Sequence, residues 1–166
     1  MVGESSTVIS DNDSQVLVRD VMTTQVVTAL ESDSIKTIAK KMKAQDVDTV
    51  VIVNKVNEPV GLVTEGDIVR RLLYRKRNLW FTKAKHIMSK PVLTSNSEAT
   101  IEEIAKLMSE KKIKRVCIVD DSKKLIGIVT QTDILENTNY LIGLLKEMLE
   151  AGYGSQIVGG ETLEKI

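Results

Sequence analysis

Two copies of a Thr-x-x-Asp motif are the residues of this chain best suited to chemistry. They run from Thr64 to Asp67 and from Thr130 to Asp133, and each follows an apolar run and opens a predicted helix. An acid three residues after a threonine predicts a capping box, in which the threonine caps the helix and the carboxylate accepts from the threonine N–H. The two carboxylate oxygens also suit a pair of adjacent hydroxyls on a ligand, and a helix N-terminus keeps the carboxylate ionised. Both interpretations stay open at this point.

Two groups of basic residues are further candidates for binding. Lys114 and Arg115 precede an apolar run, where they are either solvated residues or phosphate ligands, since arginine offers a fork matched to phosphate oxygens. The basic run 70–77 is either a solvated helix end that complements the helix dipole, an outer phosphate contact, or a nucleic-acid patch. Zero net charge and a low aromatic content predict at most non-specific nucleic-acid binding.

Residues of the kinds that catalysis and metal binding need are scarce. The chain has one histidine, His86, and one cysteine, Cys117, which lies inside an apolar run and is expected to be inert packing. The sequence contains no Gly-rich phosphate loop, no Gly-x-Ser-x-Gly elbow and no paired-carboxylate signature. We therefore expect a protein without enzymatic activity, metal or cofactor.

The composition predicts a soluble cytoplasmic protein. The 166 residues carry 23 Lys and Arg against 23 Asp and Glu, so the net charge gives no reason to expect a membrane surface as partner. No apolar run approaches the roughly 20 residues of a membrane helix, and the N-terminus lacks the pattern of a secretory signal.

The elements that must position these residues occur twice. When the chain is shifted by 66 residues, residues 19–69 lie over 85–135 without a gap, and 16 of the 51 pairs are identical. Each repeat predicts the order strand, helix, strand, strand, helix. The first strands are expected near 26–28 and 92–94, and the final helices from Glu65 and Gln131.

The periodicity within each repeat predicts where the core lies. The first helices carry apolar residues at i, i+3, i+4 and i+7, namely Ile35, Ile38, Ala39 and Met42, and Ile101, Ile104, Ala105 and Met108. Continuous apolar runs at 50–53 and 116–119 indicate strands buried on both faces. A unit of roughly 50 residues buries too little surface to be stable alone, so the two are expected to pack together.

The sequence divides into five segments on this basis. We expect a flexible N-terminus over 1–15, a first motif over 16–77 and a linker over 78–83. The second motif, with an extended C-terminal helix, is expected over 84–151, and a Gly-rich flexible tail over 152–166.

Three features, present in both repeats and in the same order, resemble the cystathionine-β-synthase-type (CBS) domain family. They are the opening segments that end in Met22 and Met88, the helix followed by a central apolar strand, and the closing Gly-(Leu/Ile)-Val-Thr-x-x-Asp-Ile at 61–68 and 127–134. The resemblance runs from about Val18 to Leu135. It indicates a tandem pair, a Bateman module, of the stand-alone prokaryotic type.

The resemblance implies an α+β fold in which two pseudo-twofold-related motifs pack through their sheets and leave two clefts between them. Ligands of this family are mostly adenosyl compounds such as AMP, ADP, ATP and S-adenosylmethionine. The implied function is a non-catalytic regulatory module that binds adenine nucleotides and signals to an unknown protein target in trans, because the sequence shows no attached enzyme or transporter. The alternatives are a nucleic-acid-binding protein that uses Arg70 to Arg77, and a sensor of S-adenosylmethionine or methylthioadenosine.

The resemblance also implies which residues form each cleft. In the first, Asp67 and Thr64 bind ribose, Pro91, Val92 and Leu93 surround the base, and Lys114, Arg115 and Thr132 contact phosphate. In the second, weaker cleft the corresponding residues are Asp133, Thr130, Gln25, Val26 and Val27, with Asp48 and Thr49 where the cations should be. We therefore expect the Asp67 cleft to be the nucleotide site, because Asp48 would repel phosphate from the other.

Surplus apolar residues on the second helix of each repeat predict a homodimer, since a small unit cannot cover them all. They are Ile68, Val69, Leu72, Leu73, Ile134, Leu135, Leu141 and Leu145.

Overall fold

The structure is a computed structural model that describes residues 16–137. The elements of the first repeat are α1 (Val18–Val21), β1 (Thr28–Leu30), α2 (Ile35–Gln45), β2 (Thr49–Val53), β3 (Pro59–Thr64) and α3 (Glu65–Asp67), which continues as a π-helix over Ile68–Leu73. Those of the second are a 3-10 turn (Ala84–His86), β4 (Thr94–Ser95), α4 (Ile101–Lys111), β5 (Arg115–Val119), β6 (Leu125–Thr130) and α5 (131–137). The predicted order of strands and helices is confirmed, although both first strands begin two residues later than expected. The predictions for 1–15, for the helix beyond 137 and for the tail lie outside the described residues.

Each repeat forms a three-stranded sheet, and the two sheets are built alike. In the first, β1 pairs parallel to β2 and β2 pairs antiparallel to β3; in the second, β4, β5 and β6 pair in the same way. The registers also correspond, because the pair Thr49–Thr64 of one sheet matches Arg115–Thr130 of the other. The α+β class and the repetition of one unit are thereby confirmed.

Local signals determine the first helix of each repeat. Ser34 caps α2 by accepting from the N–H of Thr37 at 3.2 Å, and Thr100 caps α4 by accepting from the N–H of Glu103 at 3.2 Å. The predicted apolar stripes face inward, with Ile35, Ile38, Met42, Ile101, Ile104 and Met108 all buried. In the described part of the chain, no helix is both long and apolar enough to cross a bilayer.

A separate apolar cluster joins the two sheets. It consists of Val51, Val53, Cys117, Leu125 and Ile128. These residues come from both repeats, so the prediction that the repeats pack through their sheets is confirmed. Burial at this interface raises the pKa of the Cys117 thiol to about 12, which keeps it protonated and unreactive.

The opening segments of the repeats are exchanged in the packing. Val18, which opens the first repeat in sequence, is buried in the core of the second, and its N–H donates to the carbonyl of Ala99 at 2.8 Å. In the same way Met88 is buried in the core of the first repeat, and the N–H of Ala84 donates to the carbonyl of Asp33 at 2.9 Å. Each sequence repeat therefore begins with a segment that completes the other repeat.

This exchange explains the glycine that both repeats share. A Cβ placed on Gly127 would lie 2.6 Å from Sδ of Met22 and 3.3 Å from the carbonyl oxygen of Thr23. A Cβ on Gly61 would meet Met88 at the corresponding place. The methionine of one repeat thus lies directly on the backbone of the other, and a side chain at either glycine would push the exchanged segment away.

Candidate ligand-binding cleft

The carboxylate of Asp67 is held at the N-terminus of α3. Thr64 donates to Oδ2 from its N–H and from its hydroxyl, both at 3.0 Å, and its hydroxyl oxygen accepts from the N–H of Asp67 at 3.1 Å. The capping box is therefore formed. These bonds hold Oδ2 in place. The other carboxylate oxygen, Oδ1, faces groups outside the capping box.

Two longer contacts are made at Oδ1 of Asp67. The Ser89 hydroxyl donates to it at 3.3 Å, and Nε of Arg71 lies 3.4 Å away. Asp67 is only 3% exposed, so a buried negative charge is balanced by one cation and several donors. Because both contacts at Oδ1 are longer than those at Oδ2, Oδ1 is the oxygen at which a ligand hydroxyl competes most easily.

A cavity of about 340 Å³ opens between the two repeats beside this carboxylate. Thr64 and Asp67 form one side of it, and Pro91, Val92 and Leu93 supply an apolar wall from the other repeat. The structure therefore brings together the residues expected to contact the ribose and the base.

Four cations line the same cavity. Lys114 and Arg115, expected there from the sequence, are joined by Arg70 and Lys112. Against them stands the single carboxylate of Asp67, so the cavity favours an anionic ligand. The sequence indicates Arg70 only as part of the basic run and does not indicate Lys112 or Ser89 as cleft residues. The spacing of three residues between Asp67 and Arg70, which places both on one helix face, is the signal that points to Arg70.

Arg115 is already engaged by a carboxylate. Its guanidinium donates from Nη2 to Oδ2 of Asp48, with side chains 21% and 61% exposed respectively. Nε of Arg115 is buried and has no hydrogen-bond partner, the one such side-chain nitrogen or oxygen atom within residues 16–137. The sequence predicted that these two residues would belong to different clefts, whereas the structure joins them across the interface between the repeats.

The motif of the second repeat has the same local geometry in a more open setting. Oδ2 of Asp133 accepts from the N–H and the hydroxyl of Thr130 at 2.7 and 2.8 Å. Asp133 is half-buried rather than buried, and Asn137 stands where Arg71 stands in the first repeat. Asn137 donates to the backbone carbonyl of Asp133 at 2.8 Å, so this carboxylate lacks the cation that balances Asp67.

Four further residues predicted for the clefts lie at the surface or against the apolar clusters. Gln25 is exposed, while Val26 packs against the cluster between the sheets and Val27 against the core of the first repeat. Thr132 is exposed on α5 and does not line the cavity beside Asp67, so its phosphate contact stays a prediction.

Two outer grooves correspond to each other in the two repeats. One of about 620 Å³ is lined by Met42, Ile68 and Val69, and its counterpart of about 340 Å³ by Met108 and Leu135 among others. Val69 and Leu135 are exposed in these grooves, and Leu73 is exposed outside them on the same helix as Val69. Leu72, however, is fully buried in its own repeat and is not available for the predicted dimer interface, and Leu141 and Leu145 lie outside the described residues.

No cluster of three or more His, Cys, Asp or Glu side chains within residues 16–137 is placed to hold a metal ion. His86 is exposed, and its Nδ1 accepts from the N–H of Lys83 at 3.2 Å. That contact caps the 3-10 turn Ala84–His86 and is not part of the cleft.

Comparison with known proteins identifies the same unit twice. The family model described as CBS domain matches residues 18–74 and 84–139. An uncharacterized protein, MK0525, of Methanopyrus kandleri is 39% identical over 135 residues, which cover 81% of this chain and 69% of that protein. The L-aspartate semialdehyde sulfurtransferase of Methanocaldococcus jannaschii is 30% identical over 118 residues, 71% of this chain but only 22% of that protein.

A solved structure agrees with this match. The CBS domain pair of protein MJ0100, in complex with 5′-methylthioadenosine and S-adenosyl-L-methionine, superposes with a TM-score of 0.68 at 28% identity. The superposition covers 76% of this chain and 98% of that one.

Proposed function

Because this chain belongs to the CBS domain family and contains two such domains, we propose that it is a non-catalytic regulatory module that binds an adenine nucleotide at Asp67. One observation carries the proposal: four cations line a cavity that also contains the predicted ribose carboxylate and an apolar wall. Among these cations, Arg115 has a buried Nε that lacks an acceptor. This Nε is sealed from solvent, so it reaches a ligand oxygen only when Arg115 leaves Asp48; that contact then removes the free-energy penalty of an unpaired buried donor, about 1–3 kcal/mol.

The proposed pose follows from the chemistry of the walls. Adenine lies against Pro91, Val92 and Leu93, where burying a flat ring against apolar side chains is favourable. The ribose hydroxyls donate to Oδ1 of Asp67 in place of the Ser89 hydroxyl. The phosphate then extends towards the cations at the start of β5.

A phosphate can displace the existing partner of Arg115. The Arg115–Asp48 pair has one largely exposed member and contributes only about 0–1 kcal/mol. A charge-assisted hydrogen bond to phosphate is worth about 1.5–3 kcal/mol. The exchange of partners is therefore favourable.

A sensor of S-adenosylmethionine or methylthioadenosine is the second candidate, because the CBS pair of MJ0100 binds both. The charges favour a nucleotide over S-adenosylmethionine, whose sulfonium and ammonium groups outweigh its one carboxylate and leave a net positive charge that four lining cations repel. Methylthioadenosine is uncharged and gains nothing from those cations.

Calorimetric titration with AMP, ADP, ATP, adenosine, methylthioadenosine and S-adenosylmethionine tests the proposal. We expect AMP to bind at least tenfold more tightly than adenosine, and Arg115→Ala to remove most of that difference. Lys106→Ala, which removes an exposed cation from α4, is the matched control and should change nothing. Tighter binding of methylthioadenosine or S-adenosylmethionine than of AMP would overturn the nucleotide assignment.

We also propose that the protein acts in the cytoplasm as a homodimer that signals to a partner in trans. Exposed Val69 and Leu135 in the two outer grooves support the dimer, because apolar side chains at corresponding places suit a symmetric interface. Sedimentation should show a dimer at tens of micromolar and a monomer for Leu135→Glu. A wild-type monomer at that concentration contradicts the dimer.

A further inference from the structure

The segment that joins the two repeats differs in charge from the rest of the protein. Residues 70–90, here called the basic-aromatic segment, contain eight of the chain's 23 Lys and Arg residues and none of its 23 Asp and Glu residues. Seven of these eight cations are exposed, and the eighth, Arg71, is half-buried against Asp67. In a protein of zero net charge, such a segment is a local site for a polyanion.

The basic-aromatic segment also holds every aromatic residue of the described range 16–137. None of the three is in the core: Tyr74 is 86% exposed, Trp80 62% and Phe81 81%. The buried core is instead built from aliphatic side chains, methionines and one cysteine. Large rings stabilise a fold most when buried, so their collection on one charged surface indicates a surface for contact with another molecule.

Ordered hydrogen bonds impose the exposure of two of these rings. Oδ1 of Asn78 accepts from the N–H of Trp80 at 2.8 Å and of Phe81 at 3.3 Å, and its backbone carbonyl accepts from the N–H of Thr82 at 3.0 Å. Thr82 is buried, and Leu79 packs against the core of the first repeat. The turn thus anchors residues 79 and 82 and presents the two rings between them to solvent.

One of the rings also has a cation on its face. Nζ of Lys36, on α2, lies 3.1 Å from the centroid of the Trp80 ring. This cation–π contact covers one face of the indole and restrains its orientation, while the residue stays mostly exposed. Cations lie beside the other rings in sequence as well, since Arg75 follows Tyr74 and Lys83 lies two residues after Phe81.

We propose that the basic-aromatic segment binds single-stranded nucleic acid without reading its sequence. Unpaired bases stack on the exposed rings while Lys and Arg side chains contact the phosphates between them. A duplex is disfavoured because its base faces are already stacked. An acidic protein segment would pair with the cations but supplies no base to stack on each ring, whereas a single strand supplies phosphates and bases together. The ends of the segment, Arg70 and Ser89, also line the adenosyl cavity, but the rings and Arg75 do not. Variants at the rings and at Arg75 therefore test this proposal separately from the adenosyl site.

Trp80 makes the binding directly observable because it is the only tryptophan of the chain. The full chain is titrated with a 20-nucleotide oligouridylate while its fluorescence is followed at 50 and 200 mM salt. Stacking on the indole should quench the emission. Each phosphate contact on a single strand contributes about −0.7 to the slope of log affinity against log salt. Five such contacts should therefore lower the affinity by about a hundredfold between 50 and 200 mM salt.

Two variants separate stacking from charge, with binding followed by the anisotropy of a fluorescein-labelled oligouridylate. Phe81→Ala should weaken binding by about tenfold, whereas Val56→Ala, at an exposed apolar residue of the β2–β3 turn, should not. Arg75→Gln should reduce the slope of log affinity against log salt by about 0.7, whereas Lys106→Gln on α4 should leave it unchanged. All four side chains are exposed, so none of these changes should affect folding.

Several results would overturn the proposal. Absence of binding at 50 mM salt with micromolar protein would do so, as would a 20-base-pair duplex bound as tightly as the single strand. Polyglutamate that quenches Trp80 as strongly as oligouridylate at equal charge would assign the surface to an acidic protein segment. Conversion of a dimer into a monomer by Phe81→Ala would assign it to a second copy of the chain.

Discussion

Replacing Asp48 by asparagine tests how the cleft uses Arg115. The substitution keeps the shape of the side chain but removes the charge that now holds the guanidinium. Since the Asp48 side chain is 61% exposed, the lost pair is worth about 0–1 kcal/mol. AMP no longer has to displace that pair, so its affinity should rise by up to about fivefold. Adenosine, which has no phosphate, should bind as before.

A double-mutant cycle measured by calorimetry makes this prediction specific. Arg115→Ala alone should lower AMP affinity by on the order of tenfold or more, because a charge-assisted hydrogen bond is worth about 1.5–3 kcal/mol. In the Arg115→Ala background, Asp48→Asn should have no further effect. An equal gain in both backgrounds would show that Asp48 acts as a distant negative charge. A loss of affinity in Asp48→Asn would show instead that the paired position of Arg115 is the one that binds phosphate.

Three further outcomes follow from the packing and the charges. Gly127→Ala should lower the free energy of unfolding in urea by about 1–3 kcal/mol, whereas Gly66→Ala, whose added methyl meets only the end of a flexible side chain, should not. Asp67→Asn should abolish the tight AMP signal in calorimetry and Asp133→Asn should leave it; the reverse order would refute the assignment of the clefts. The free energy of unfolding should fall as the pH rises from 9.0 towards about 12, because the thiol of Cys117 loses its proton at a lower pH in the unfolded state than in the folded state. The Cys117→Val variant lacks this thiol, so near pH 10.5 its free energy of unfolding should have fallen by about 2 kcal/mol less than that of the wild type.

Features that depend on neighbouring residues were predictable from the sequence. Ser34 and Thr100 are residue types that favour helix N-caps and stand directly before the predicted apolar stripes, and the two helices begin directly after them. The repeat predicted two equal sheets, because each copy has to satisfy the same packing with the same residues. The exchange of opening segments was not predictable, because the interactions of Val18 reach roughly 80 residues along the chain and leave no local pattern.

The cleft was predictable only where the family resemblance carried information. It placed Lys114 and Pro91 beside Asp67, and the structure brings them together. It carried no information on Lys112, nor on the pairing of Arg115 with another residue. Both depend on how the two repeats face each other, which the order of residues within one repeat does not reveal.

The exchange of opening segments has a consequence for synthesis on the ribosome. The first repeat is completed by residues 84–89, which follow it immediately. Residues 17–23 are translated before the rest of the first repeat, but their partners extend from Ala99 to Ile128. At about 5–20 residues per second, this stretch lacks its last partner, Ile128, for roughly 5–22 seconds after Val18 has been added. The first repeat can therefore fold while residues 17–23 are still unpaired. These residues gain their last partner only when β6 has been translated.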